Sequence, residues 1–239
     1  MNDFDPNNPS DFEGDECEDL AWNEFDWEHY LREQDDIIFR YVAFYETLRQ
    51  HPDRLAEVAV AMGWDRELWV SDSDIDEEDE EDSPNPDEWE AGPYTFHKNY
   101  IYISTKAIYL TLKRGWEAIA DRADRVPQRT ALAYQTALHR GEEQAVLAIQ
   151  ALDFGDYAMA VSLFKRALAE LNQTLTTLNA GGENVSRTLA RYRAEAIPRL
   201  FDLRDIWLRM MRECRQVLDR PIDADDQDDD ADGVSEDQE

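Results

Sequence analysis

The chain of 239 residues carries 24 basic and 55 acidic side chains, a formal net charge of −31, and is long enough for one good-sized domain. Its two cysteines, Cys17 and Cys214, lie near opposite ends, which excludes a disulfide framework and a metal site built on cysteine pairs. The N-terminus lacks the features of a signal peptide, and the longest apolar-rich stretch, 100–112, is too short to span a bilayer, so we expect a cytoplasmic protein.

The negative charge is concentrated in three segments. Residues 1–36, 65–90 and 219–239 carry net charges of −13, −13 and −10, whereas the rest of the chain sums to +5. A protein adapted to high salt carries its acids over its whole folded surface, so this uneven distribution argues against that class. The pattern indicates a nearly neutral body with acidic appendages.

The domain organisation follows from the same pattern. We predict one helical bundle over 21–219, interrupted at 71–92 by an acidic loop in which like charges and prolines oppose regular structure. The flanking acidic segments, 1–20 and 220–239, have too few aliphatic residues to form a core and are predicted to be disordered.

Apolar residues at helical spacing predict an all-α bundle of about six helices. The predicted helices cover residues 27–50, 53–62, 94–122, 127–153, 155–178 and 184–218. Pro52 ends the first helix, and Gly63 can adopt the left-handed conformation that ends the second. Residues 100–104 in the third helix are rich in β-forming side chains, so a strand there is the alternative.

The helix over 155–178 has the clearest apolar pattern. Its seam residues recur at steps of three and four: Tyr157, Val161, Phe164, Leu168, Leu171, Leu175 and Leu178. Ala160 and Ala167 lie beside this seam and leave room for a neighbouring helix. We therefore expect the helices over 131–153 and 184–218 to pack against it.

Two residues bear on the regularity of these neighbouring helices. Gly141 either interrupts the helix over 127–153 or is tolerated within it. Pro198 removes a backbone hydrogen bond and crowds the preceding turn, so it is expected to kink the last helix.

A family resemblance covers residues 141–174. The residues that carry it are Leu147, Ala148, Gly155, Asp156, Tyr157, Ala160, Phe164, Ala167 and Leu168. In these positions the segment resembles a single tetratricopeptide-repeat helix hairpin, although no second copy occurs one repeat length away. Residues 142–215 are also similar, in length and in this hairpin, to microtubule-interacting-and-trafficking modules, which are three-helix bundles. Both resemblances imply peptide binding through helix faces without enzymatic activity; the alternative is that they reflect only the close packing of an antiparallel hairpin.

Residues that usually carry catalysis are sparse. The four histidines include no pair at the i, i+4 spacing that binds one metal ion, and the chain has neither a phosphate-binding glycine loop nor a nucleophile elbow. Cys214 is predicted to be a small core residue rather than a nucleophile. We therefore expect no enzymatic activity, cofactor or metal.

The last helix carries eight arginines between residues 187 and 215. Five of them are candidate partner-binding residues that would form a basic strip: Arg191, Arg204, Arg209, Arg212 and Arg215. The alternative is a solvated face with ion pairs at i, i+4 spacing. Nucleic acid is not an expected partner, because the acidic segments would repel phosphates.

Two tryptophans flanked by acids, Trp27 and Trp89, are further candidates for partner binding. A tryptophan among acids suits an arginine-lined groove, because the ring supplies buried area and the acids supply steering. The alternative is that Trp27 begins the first helix and Trp89 packs on the bundle.

These patterns favour a non-enzymatic protein–protein interaction module, an adaptor or scaffold that uses helices within 131–218. Its acidic segments would modulate binding. The alternative is an acidic chaperone or nucleic-acid mimic whose acidic segments bind a basic partner protein. Neither hypothesis involves a membrane, and the sequence does not indicate an oligomeric state.

Overall fold

The computed structural model describes residues 22–64, 95–122, 124–180 and 186–219. These ranges contain six α-helices and no strand: α1 (Glu24–Thr47), α2 (Arg54–Ala61), α3 (Tyr100–Ala120), α4 (Gln128–Asp153), α5 (Tyr157–Asn179) and α6 (Arg187–Leu218). The prediction of an all-α bundle is therefore confirmed. The predicted acidic segments 1–20, 71–92 and 220–239 lie outside the described residues.

Short polar side chains determine where several helices begin. The side chain of Asn23 accepts hydrogen bonds at 2.8 and 3.2 Å from two backbone N–H groups in the first turn of α1, and Asp26 accepts one at 3.0 Å from the Asn23 backbone. Asn99, Asp156 and Ser186 cap α3, α5 and α6 through the same kind of bond. Because of these caps, α1 begins three residues before the prediction, whereas α3 begins six residues after it.

Helix α3 lies at the centre of the bundle and packs against α1, α4 and α6. Residues 100–104 belong to this helix, so the alternative of a strand there is wrong. The apolar side chains around most of its circumference require burial on several sides, which favours a helix surrounded by others over an exposed strand. The buried hydroxyl of Thr105 accepts a hydrogen bond from Trp207 Nε1 of α6 at 3.3 Å.

Helix α4 continues through Gly141 without a break. A methyl group at this position would lie 2.6 Å from the hydroxyl oxygen of Tyr109 on α3. Glycine is therefore tolerated within α4 because it allows the two helices to approach closely. The turn that follows α4 contains Gly155, whose φ of +74° favours glycine.

Helix α5 packs against α4 and α6, as its apolar seam predicted. Phe164 and Leu171 are fully buried, and so are the alanines beside the seam, Ala160 and Ala167. Other seam positions, such as Leu168, are only half-buried. The buried face of α5 is therefore rotated toward the small residues, because these allow the neighbouring helices to come closest.

Helix α6 remains helical through Pro198. The kink that we expect at this proline remains a prediction. Within the described ranges, none of the helices combines the length and the apolarity needed to cross a bilayer.

Candidate functional site

The described residues form an electrically balanced body. They carry 22 acidic and 22 basic side chains, so the whole formal charge of −31 belongs to the residues outside the described ranges. Eight of the 22 basic side chains are the arginines of α6. Helix α6 is therefore the part of the described body best suited by its positive charges to bind an acidic ligand.

Helix α6 has an inner and an outer side. Its inner side is buried against α3 and α5 through residues that include Tyr192, Leu200, Leu203, Trp207 and Cys214. On the outer side, residues at successive steps of four, three, four, four and three share one face. We call this set the outer stripe: Ile197, Phe201, Arg204, Leu208, Arg212 and Arg215.

The outer stripe combines exposed apolar groups with cations. Phe201 is 50% exposed and Leu208 is 40% exposed. The guanidinium groups of Arg204, Arg212 and Arg215 are exposed, and none has a carboxylate of the described residues within ion-pair distance. A single exposed apolar residue is ordinary, but two aligned with three arginines form a surface that can bind both an apolar and an anionic group.

The other two candidate arginines lie elsewhere on α6. Arg191 and Arg209 are both rotated by roughly 100° around the helix from the outer stripe. Nε of Arg191 forms an ion pair with Glu195 at 3.1 Å. Arg209 is half-buried, and its charge acts on Glu213 and Tyr100. The five arginines thus do not form one strip, and the structure brings three of them together.

The tryptophan candidates are not joined to this surface by any described contact. Trp27 lies near the start of α1 and is 40% exposed, with ring centroids 5.0 Å from Trp22 and 5.9 Å from Tyr30. It therefore lies in the first turn of α1, within a local aromatic cluster. Trp89 lies outside the described residues.

Sequence reasoning missed Phe201 and Leu208. Both are out of phase with the buried apolar residues of α6. Phe201 lies three residues before Arg204, and Leu208 lies four residues from both Arg204 and Arg212. Their position away from the buried face of α6, together with their helical spacing from the arginines, was the signal available in the sequence.

A buried ion pair joins α6 to the first two helices. The carboxylate of Asp202 accepts hydrogen bonds from Arg54 Nε at 2.7 Å, from Arg54 Nη2 at 2.5 Å and from the hydroxyl of Tyr45. Burial, followed by the nearby Asp202 charge, raises the pKa of Tyr45, which keeps the hydroxyl protonated as a donor. Because donors and acceptor satisfy each other, this network ties α6 to α1 and α2.

A cleft of about 170 Å³ lies beside this network. Its lining residues are Tyr45, Arg49, Gln50, Arg54, Ala194, Glu195, Pro198 and Arg199. Arg54 is engaged by Asp202, and Arg199 forms an ion pair with Glu46 at 2.5 Å. Two of the three cleft arginines are therefore neutralised by carboxylates of the protein itself.

A second buried carboxylate links α3 to α4. Glu142 accepts hydrogen bonds from Lys106 Nζ at 2.7 Å and from Lys113. Burial tends to raise the pKa of Glu142, but the two ammonium groups outweigh it and hold the pKa below its usual value. Glu142 is therefore an ionised structural residue.

Two further candidates for chemistry are the thiol of Cys214 and groups of metal-binding side chains. Cys214 is 3% exposed, and burial raises the pKa of its thiol, as befits a core residue rather than a nucleophile. Among the side chains that the structure describes, no group of three histidines, cysteines or acids is arranged to hold a metal ion.

Comparisons of the chain with protein-family models, with curated proteins and with solved structures gave no match. The resemblance of the α4–α5 hairpin to a tetratricopeptide repeat therefore stays a prediction.

Proposed function

We propose that this protein is a non-enzymatic protein–protein interaction module, an adaptor or scaffold, whose outer stripe binds a segment of a partner protein. The preferred segment has a large apolar side chain flanked by acids. The observation that supports this proposal is the alignment of exposed Phe201 and Leu208 with three arginines that form no ion pair to the described residues. We place this binding in the cytoplasm on the evidence of the sequence.

Neither the arginines nor the exposed apolar residues of the outer stripe would give specific binding alone. Acids without an apolar anchor would form only exposed ion pairs, each worth about 0–1 kcal/mol. An apolar segment without acids would be attracted no more to Leu208 than to other exposed side chains, such as Leu132 on α4. A segment with both features removes apolar surface from water, worth roughly 25 cal/mol per Å², and gains hydrogen bonds to the guanidinium groups. The combination therefore gives specificity.

The test uses a fluorescently labelled peptide with the sequence of residues 85–93, NPDEWEAGP, as a probe of this chemistry. Its affinity for the full chain is measured by fluorescence anisotropy at about 50 mM salt, where surface charges are weakly screened. We expect Leu208→Asp and Arg212→Glu each to weaken binding by about tenfold, since each removes an anchor and adds a repelling charge.

Two substitutions on α4 are matched controls. Leu132→Asp and Arg140→Glu introduce the same charge changes at exposed positions outside the outer stripe, and they should leave the affinity within about twofold. Equal losses in the α4 and α6 variants, or no binding of the probe to the wild-type chain, would contradict the proposal. Binding of a basic peptide instead, lost at moderate salt, would favour the acidic-chaperone alternative.

A further inference from the structure

We propose that the acidic segment 220–239 binds the arginine end of the outer stripe of its own chain and competes with the partner segment there. The contact between segment and stripe stands on the charges and geometry of this chain. Its role as a competitor rests on the proposed function of the stripe.

The charges of the two parts are complementary. Segment 220–239 contains ten acids and one base, and seven of the acids are aspartates between residues 223 and 232. Arg204, Arg212 and Arg215 occupy the last four turns of α6, directly before this segment. None of them forms an ion pair with a described carboxylate, although the charge of Arg212 acts on the neighbouring Glu213. The segment therefore supplies the charge that these arginines lack.

The length of the segment fits the span of the site. Helix α6 ends at Leu218, and Arg204 lies about 21 Å back along the helix axis at 1.5 Å per residue. The aspartates lie 5–14 residues beyond the end of the helix. An extended chain covers about 3.3–3.6 Å per residue, so these aspartates can reach every arginine of the stripe.

Covalent attachment makes such weak contacts effective. Each exposed ion pair contributes at most about 1 kcal/mol, which is too little to hold a separate acidic peptide. A segment linked directly to the helix is instead present at an effective concentration on the order of millimolar. The other two acidic segments are attached to α1, α2 and α3, so they lack this advantage at α6.

The segment satisfies only the charged half of the stripe. It contains no aromatic residue, and its large aliphatic side chains are Ile222 and Val234. It therefore cannot cover Phe201 and Leu208 as a tryptophan would. A partner segment with both an apolar anchor and acids displaces segment 220–239, because it also buries Phe201 and Leu208. A ligand that has only acids makes no contact that the attached segment does not already make, so it binds more weakly. Segment 220–239 thus selects against partners that are merely acidic.

The first experiment compares two full-length variants with equal charge changes. In one, the seven aspartates at 223, 225, 226, 228, 229, 230 and 232 are replaced by asparagine. In the matched control, the seven acids at 72, 74, 76, 77, 78, 79 and 80 are replaced by their amides. Both variants change the net charge of the chain by the same amount, so a difference between them reports which acidic segment acts at the stripe.

With the NPDEWEAGP peptide as probe, we expect the segment 220–239 variant to bind about five- to tenfold more tightly than the wild-type chain, and the control to change by less than about twofold. At about 500 mM salt the three proteins should converge, because exposed ion pairs are screened. Equal gains in both variants would overturn the proposal, and a gain only in the control would assign the stripe to segment 72–80 instead.

The second experiment detects the contact without a partner. A nitroxide label at Ser235→Cys, in a full chain carrying Cys17→Ser, should broaden the side-chain Nε–H resonances of Arg204, Arg212 and Arg215. The resonances of Arg140 and Arg166 on α4 and α5 serve as references and should keep their intensity. Equal intensities for the two sets would overturn the proposal. If the label broadens the stripe but the peptide binds no variant, the proposed function fails while the intramolecular contact stands.

Discussion

Gly141 determines how closely α3 and α4 can approach, because a methyl group there would lie 2.6 Å from the hydroxyl oxygen of Tyr109. Glycine to alanine normally stabilises a helix interior by about 0.5–1 kcal/mol. Overpacking of a buried contact costs about 1–3 kcal/mol. At this residue the second effect outweighs the first.

We therefore expect Gly141→Ala to lower the free energy of unfolding in urea by about 1–2 kcal/mol. Tyr109→Phe removes the oxygen that the methyl group would meet, so in that background Gly141→Ala should instead raise the free energy of unfolding by about 0.5–1 kcal/mol. A wild-type chain stabilised by Gly141→Ala would show that close approach is not the reason for this glycine.

Glu142 gives the fold a dependence on pH. Its pKa in the folded state lies below the unfolded value of about 4.3, so its ionised form stabilises the fold above that pH. This contribution is lost as the pH falls through the folded-state pKa. We expect Glu142→Gln to lower the free energy of unfolding by about 1–3 kcal/mol at neutral pH. The difference from wild type should shrink below about pH 4.

Denaturant unfolding across this pH range checks the prediction. Glu143→Gln, at the exposed neighbouring position, is the control and should change little. A deficit of Glu142→Gln that stayed constant into the acid range would mean that the ion pairs with Lys106 and Lys113 are not its source.

At the scale of elements, α5 is the helix on which the second half of the fold is assembled, since both α4 and α6 pack against it. Leu171 is 1% exposed on its buried face. Leu171→Asp would bury a carboxylate without a partner, which costs several kcal/mol, and should unfold the bundle. Phe164→Asp should do the same. Circular dichroism during heating measures the loss of helical structure in both variants.

Met159→Asp is the matched control on the same helix, because Met159 is largely exposed near the start of α5. This variant should melt within a few degrees of wild type, since surface substitutions change stability by about 0.5 kcal/mol or less. If Leu171→Asp were as stable as Met159→Asp, α5 would not be the organising helix of the bundle.

At the scale of the whole molecule, the ion pair between Arg54 and Asp202 joins residues 148 positions apart in sequence and ties α2 to α6. Asp202→Asn leaves the guanidinium group with no anionic partner, so we expect a loss of about 3 kcal/mol in unfolding free energy. The triple variant Tyr45→Phe, Arg54→Met, Asp202→Leu removes the polar groups of all three residues together, leaves no buried donor without an acceptor, and should recover most of this loss. A triple variant less stable than Asp202→Asn would contradict this account of the pair.

The charge distribution is also a property of the whole molecule. The described body is balanced, with 22 acids and 22 bases, whereas the remaining residues hold the net charge of −31. Added salt should therefore weaken the two proposed binding events at the outer stripe much more than it changes the stability of the fold. Added salt screens the exposed contacts of the outer stripe, while the buried pairs at Glu142 and Asp202 are screened much less.

Local order along the chain was sufficient to predict the helices. The apolar periodicity of residues 155–178 anticipated both the position of α5 and its packing between two neighbours. The exact starts of α1 and α3 depended on caps at Asn23 and Asn99, whose side-chain hydrogen bonds leave no periodic signal. Periodicity therefore predicted which elements exist better than where they begin.

The sequence by itself determined the helical class, the wealth of arginine on α6 and the separation of charge into body and appendages. Only the tertiary structure decided which arginines remain exposed, because Arg209 lies half-buried with its charge acting on Tyr100, and Arg199 forms an ion pair with Glu46. It also showed that Phe201 and Leu208 lie exposed between the others. The physical reason is one of range: helical periodicity arises between residues three or four apart, whereas the surroundings of Arg199 and Arg209 depend on residues more than one hundred positions away in sequence.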